Sequence, residues 1–234
     1  MSRNGRAVEI VRIVVGLTSR ALAPRHRELV VLAVALVLAM STWFSTAAVL
    51  SQLRVEWSLS DGQASWLTIV VQLGFVAGAL VTALTNLADR IAPLRLFAIG
   101  AVGAAFANLL VVAADGFSLA VAARFITGAF LAAVYPPAIK AMAAWFRTGR
   151  GLALGVMIGA LTVGSALPHL INALGGLDWQ ATLIMASGLT LLGGLIAERV
   201  CVAGPDSMAA APFDPSQFGV ILRNRSFRLA SAGY

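Results

Sequence analysis

The chain has 234 residues, 59% of them hydrophobic and 12% charged, with a mean hydropathy of +0.89 and a formal net charge of +7. Soluble domains carry about 25% charged residues, so this composition excludes a soluble globular protein and points to an integral membrane protein. The basic residues lie between apolar runs, where orientation in a bilayer explains them and nucleic acid does not, and the single cysteine, Cys201, excludes an intrachain disulfide and a cysteine-based metal cluster.

Taken in order, residues 1–28 form a basic leader with Arg3, Arg6, Arg12, Arg20, Arg25 and Arg27. Within it, residues 9–17 could lie as a short helix on the membrane surface or remain without structure. The apolar run behind the leader is longer than a signal-peptide core. No segment alternates as a barrel strand does, so helices are the spanning element. Spans of about twenty residues are expected at 29–53, 64–84, 94–114, 117–146, 152–174 and 179–200. Pro136 and Pro137 should kink the fourth. Arg90, Arg95, Arg147, Arg150 and Arg199 mark the even-numbered joints, while Glu56, Asp61, Asp115 and Asp178 mark the odd ones, with Arg54 as the exception. The positive-inside rule then places both ends in the cytoplasm. Residues 201–226 read as a cytoplasmic linker, and residues 227–234 as the start of a truncated seventh helix.

Polar residues inside the spans fall in stripes. Ser41, Ser45 and Gln52 share a face of the first span; Ser65, Thr68 and Gln72 share one in the second; Thr162, Ser165, His169 and Asn172 share one in the fifth. In the fourth, Arg124, Gly128 and Tyr135 line up. The expectation is that spans one, two, four and five enclose a common polar path, with three and six facing mostly lipid. Arg124, Tyr135, Gln72, Ser45, Thr162, Ser165 and His169 are the candidate path residues. An intramembrane arginine defaults to function, and its planar fork suits an anionic solute. The competing reading has Arg124 tied to carbonyls of adjacent helices, and the hydroxyl stripes as helix-packing glue. Gly74 with Gly78, Gly155 with Gly159, and Gly128 and Gly164 are candidate packing positions. A loose likeness between the second and fifth spans hints at a three-plus-three repeat.

The second joint reads NLADRIAPLR, and with the six-span layout it resembles the major facilitator superfamily signature G-x-L-A-D-R-x-G-R-R/K. Leu87, Ala88, Asp89 and Arg90 match it; Thr85 and Ala92 stand where the family has glycine, and Pro93 where it has a basic residue. Arg124 and Gly128 match the family's helix-four pattern R-x-x-x-G. Gly155, Gly164 and Pro168 approximate its helix-five motif without the Gly-Pro dipeptide, so no antiporter is assigned. The flavour is that of the cyanate/nitrate-type anion porters, although the second span has Gln72 as its most polar member and no arginine.

The resemblance implies an all-α integral membrane fold, the amino-terminal six-helix half of such a transporter, in the bacterial inner membrane. It implies secondary active transport by alternating access of a small polar or anionic solute, with a proton or ion as the coupling partner. It also implies a missing carboxyl-terminal half or a second copy, no cofactor, and Asp89 and Arg90 in a gate latch. An inactive fragment or a dimerising half-transporter is the alternative. A hydrolase using Ser165 and His169 lacks a G-x-S-x-G frame and an orienting carboxylate.

Overall fold

In the computed structural model, the structure describes residues 23–146, 148–175 and 177–205. Most of the leader, the linker beyond Pro205 and the last eight residues therefore lie outside the described residues, as do Arg147 and Gly176. Every described element is helical, and among the described residues five helices are long and apolar enough to cross a membrane. These are Asp61–Leu84, Pro93–Val112, Phe117–Ala143, Arg150–Ala173 and Trp179–Arg199. They match expected spans two to six.

The first span is different. It is a helix, Pro24–Ala39, followed by a 3-10 turn, Met40–Thr42, and two short helices, Ser45–Ala48 and Leu50–Glu56. No proline or glycine interrupts it. The break falls instead on the hydroxyl-rich stretch MSTWFST, where side chains compete for backbone carbonyls. Ser41 Oγ donates to Leu38 O at 2.8 Å and Ser45 Oγ to Thr42 O at 3.1 Å.

The fourth span breaks as its prolines require, but earlier than they stand. Helix Phe117–Leu131 ends in a turn over residues 132–134, and helix Tyr135–Ala143 begins with the prolines in its first turn. A proline there has no N–H to offer the turn before it, so the interruption precedes the ring. The helix tightens into the turn through Ala133 N to Phe130 O at 2.9 Å and Val134 N to Leu131 O at 3.0 Å.

Caps set the remaining boundaries. The second helix starts at Asp61 rather than residue 64, because Ser60 and Gln63 form a reciprocal capping box. The S-x-x-Q signal was present in the sequence. Asp178 caps the sixth span through Ala181 N at 2.7 Å. Arg54, the basic residue that breaks the charge asymmetry, pairs with Asp61 across the first joint.

Around the bundle, the second span packs on the fourth, the fourth on the third, the third on the sixth, and the sixth and fifth on the first. Gly74 and Gly78 face the backbone at Phe125 and Ala129, and Gly128 faces Val71 and Phe75, so a Cβ at any of the three would overlap main-chain atoms. Gly164 meets Val37 in the same way. Gly155 and Gly159, expected to pack, have open space instead.

Burial within the chain is also uneven among the spans. The third and sixth spans are 56% and 50% buried, against 28% for the second and fifth. Alanines and glycines on the third span let it sink into the bundle. Its Asn108, and Ser187 and Thr190 of the sixth, are fully buried. Helices as apolar as these have no polar face to declare which side goes in, so packing of small residues decides it.

Candidate functional site

The break in the first span leaves carbonyls without helical donors in the interior of the bundle, and such groups must be satisfied by protein at membrane depth. Arg124 satisfies them. Its side chain is only 1% exposed. One terminal nitrogen donates to Thr42 O at 2.9 Å, Asn108 Oδ1 at 3.0 Å and Ser45 Oγ at 3.4 Å, and the other to Trp43 O at 2.5 Å. Nε has no partner. The guanidinium fork therefore fastens the fourth span to the interrupted first.

Asn108 extends the contact inward. Its Oδ1 also accepts from Ser45 Oγ at 2.7 Å, and its amide donates to Ser187 Oγ at 3.0 Å and Leu183 O at 3.3 Å. Ser41 Oγ lies 2.8 Å from Ala186 O and 3.1 Å from Thr190 Oγ1, which in turn donates to Ala39 O at 3.2 Å. Spans one, three, four and six thus share one buried polar network around the break. A buried network this connected favours a single packing.

Of the expected path residues, the structure brings only Ser45 into hydrogen-bonding contact with Arg124. Gln72, Thr162 and His169 are exposed on the second and fifth spans, and Ser165 is half-buried. Thr162 and Ser165 spend their hydroxyls within their own helix, on Ile158 O and Thr162 O. Ser165 is therefore not donating to His169, and the hydrolase alternative loses its nucleophile–base pair. Tyr135 is half-buried beside the fourth-span break.

Sequence reasoning missed two features. Asn108 stands alone as a polar residue in an Ala- and Gly-rich span, and such a residue must find partners inside. The second is an aromatic lip. Trp43, whose carbonyl Arg124 holds, packs edge-on against Phe75 of the second span at 5.1 Å between ring centroids and against Phe44 at 6.3 Å. Trp43, Phe44, Phe75 and Tyr135 are all half-buried, so rings at the first- and fourth-span breaks stay accessible.

At the end bearing the basic joints, Asn86 adopts a left-handed conformation, φ 55°, and opens the short helix Leu87–Arg90. Asn tolerates that conformation better than most residues, which keeps the turn where the glycines are absent. Lys140 Nζ lies 2.6 Å from Asp89 Oδ1 and donates to Ala88 O at 2.8 Å, and Arg90 is exposed. The pair is partly exposed, so Asp89→Asn should cost about 1 kcal/mol or less, and less still at high salt. Thermal unfolding in detergent at two salt concentrations, with Lys140→Met and the double variant, measures the coupling.

Comparison with known proteins places these features. The model of the Major Facilitator Superfamily matches residues 31–233. The multidrug efflux pump LfrA of Mycolicibacterium smegmatis is 30% identical over 154 residues, which is 64% of this chain and 30% of the pump. A crystal structure of a bacterial homolog of the human lysosomal transporter Spinster, inward-facing and unoccupied, superposes with a TM-score of 0.65. It is 17% identical and covers 84% of this chain and 47% of its own. This chain thus spans less than half the length of either protein. The cyanate/nitrate flavour finds no support in these likenesses.

Proposed function

The chain belongs to the major facilitator superfamily of membrane transporters, and from that premise we propose that it supplies one six-helix unit of an exporter of aromatic or otherwise apolar organic solutes. The observation that carries the solute class is the state of Arg124. Its two terminal nitrogens are engaged by protein oxygens, leaving Nε alone without a partner, while Trp43, whose carbonyl it holds, packs with Phe44 and Phe75 as a cluster of half-buried rings. Rings of this kind take up flat organic molecules by stacking and apolar contact. The likeness to a multidrug efflux pump supports the same class. A small anion taken by the terminal nitrogens would draw Arg124 away from Thr42 O, Trp43 O and Asn108 Oδ1, leaving Trp43 O without this donor and Thr42 O and Asn108 Oδ1 to share Ser45 Oγ.

Alternating access in this reading pairs the unit with a second six-helix unit, from another copy or another length of chain, across the exposed second and fifth spans. Gln72, Thr162, Ser165 and His169 lie on those spans and contribute polar contacts at that junction. The end bearing Arg90, Arg95 and Lys140 faces the cytoplasm of a bacterial inner membrane, with Asp89 and Lys140 as a latch there.

Reporter fusions after Gly62, Gly116 and Gly176 should read as periplasmic; a cytoplasmic signal at Gly116 breaks this orientation. For the solute, cells expressing the full chain should hold severalfold less of the planar dye acridine orange than cells expressing Trp43→Ala at equal protein abundance. Equal dye levels overturn the aromatic-solute reading, and uptake of labelled nitrate that depends on Arg124 would put the anionic one in its place.

A further inference from the structure

A second built feature lies at the basic end, away from the polar network. The sixth span ends at Arg199, and the chain then runs without secondary structure through residues 201–204. Both backbone polar groups of Val202 are held from outside. Its N–H donates to Glu28 Oε2 at 3.0 Å, at the start of the first span. Its carbonyl accepts from Trp145 Nε1 at 3.0 Å, just past the fourth. The Val202 side chain is 59% exposed, so it is the main chain that is gripped. Two residues on, Gly204 lies so close to Ala144 that a Cβ would overlap its backbone.

The grip is costly to build, which argues against an incidental contact. Glu28 is buried, and a buried carboxylate needs a partner to offset its desolvation. Among the described residues, the hydrogen bond found for it is the one to Val202. On the far side, Phe146 is packed by the His26 ring at 6.1 Å and lies beneath the Arg25 guanidinium at 5.9 Å. Burial, and then the Glu28 carboxylate, push the Cys201 thiol up to about 12, against a smaller opposing effect of Arg27.

The gripped piece of the fourth span has the form of a lever. Helix Tyr135–Ala143 is separated from Phe117–Leu131 by the turn at 132–134. Beyond its other end, Gly149 adopts φ 74°, a conformation that favours glycine. Lys140, midway along, is tied to Asp89.

We propose that residues 201–204 form a strap that clamps the basic ends of the first and fourth spans to the sixth, and that release of the strap frees Tyr135–Ala143 to swing about the turn at 132–134. The use of that swing in alternating access rests on the transporter reading; the clamp and its release do not.

Cys201, the sole cysteine, reports on the strap directly. In the full chain in lipid nanodiscs, N-ethylmaleimide should modify it about 100-fold more slowly than in denatured chain, since a buried, protonated thiol is inert. Trp145→Phe keeps the ring and removes the donor to Val202, and Gly204→Val forces the strap off Ala144. Each should raise the rate about tenfold by raising the population of the opened strap. Gly62→Ala, made where a Cβ meets open space, controls for general loosening and should leave the rate unchanged. Hydrogen exchange at amides 138–143 should quicken in the same two variants. The proposal is overturned if the native thiol reacts as fast as the denatured one. It is equally overturned if both variants label within about twofold of the native rate, or if exchange at 138–143 does not change when the strap opens. Acridine orange accumulation enters none of these readouts, so failure of the solute reading and failure of the strap are distinguishable.

Discussion

An Arg124→Met chain is expected to be recovered at low abundance and as aggregate after detergent extraction. The substitution keeps length and apolar packing but leaves Thr42 O, Trp43 O and Asn108 Oδ1 short of the donor each has now. Buried acceptors stripped of a charged donor cost about 3–5 kcal/mol together, a large share of the total stability of a typical protein. Arg124→Lys keeps the charge and can reach fewer of these oxygens, because an ammonium is a point donor and not a fork. It should therefore lie between native and Met in abundance and in unfolding temperature. Size-exclusion profiles and thermal unfolding of the three proteins, read beside dye binding on the same samples, separate two roles. Well-folded Arg124→Lys with weakened solute binding would place Arg124 in contact with solute and would contradict the role as fastener of the first-span break.

The second large effect is a contrast between two glycines, Gly128 of the fourth span and Gly155 of the fifth. Gly128→Val should prevent the second and fourth spans from closing, since its Cβ would meet the Val71 carbonyl and the Phe75 nitrogen, and backbone cannot swing aside as a side chain can. A loss of at least about 3 kcal/mol is expected. At a few degrees of melting temperature per kcal/mol for a chain of this size, that is a shift of about 10 °C, or failure to fold. Gly155→Val, on the open face of the fifth span, should stay within about 0.5 kcal/mol of native. Thermal unfolding in detergent checks both. A large loss at Gly155 would mean that the open face is covered in the extracted protein by a second unit, which light scattering would show as added mass.

The charge pattern, the LADR turn and the Arg-x-x-x-Gly pattern were legible in the sequence for the same reason the spans were. Insertion of a helix into a bilayer depends on about twenty consecutive side chains, all of which the sequence states. The prolines gave the fourth-span break because a missing N–H is a local fact. The family followed from residues standing next to one another, Leu87 to Arg90, and Arg124 with Gly128.

The sequence left Arg124 between two roles, a solute contact and a tie to carbonyls of adjacent helices, and did not show the break it fastens. Thr42 and Arg124 are 82 residues apart, and Ser45, Thr42 and Ser41 read equally well as a polar stripe on an unbroken helix. Two identical G-x-x-x-G patterns had opposite fates because one met a neighbouring backbone and the other met open space. Hydropathy ranks segments for entry into lipid, but once six apolar helices are in, it no longer ranks their faces against one another. Close approach of small residues, and the need to satisfy every buried carbonyl, then choose which helices sink inward. The sequence alone determined that the chain crosses the membrane, about where, and in which family. The tertiary structure decided that the third and sixth spans pack more deeply against their neighbours in this chain than the second and fifth, and that the arginine serves the backbone of the first span, because those outcomes depend on pairs of surfaces that no single segment contains.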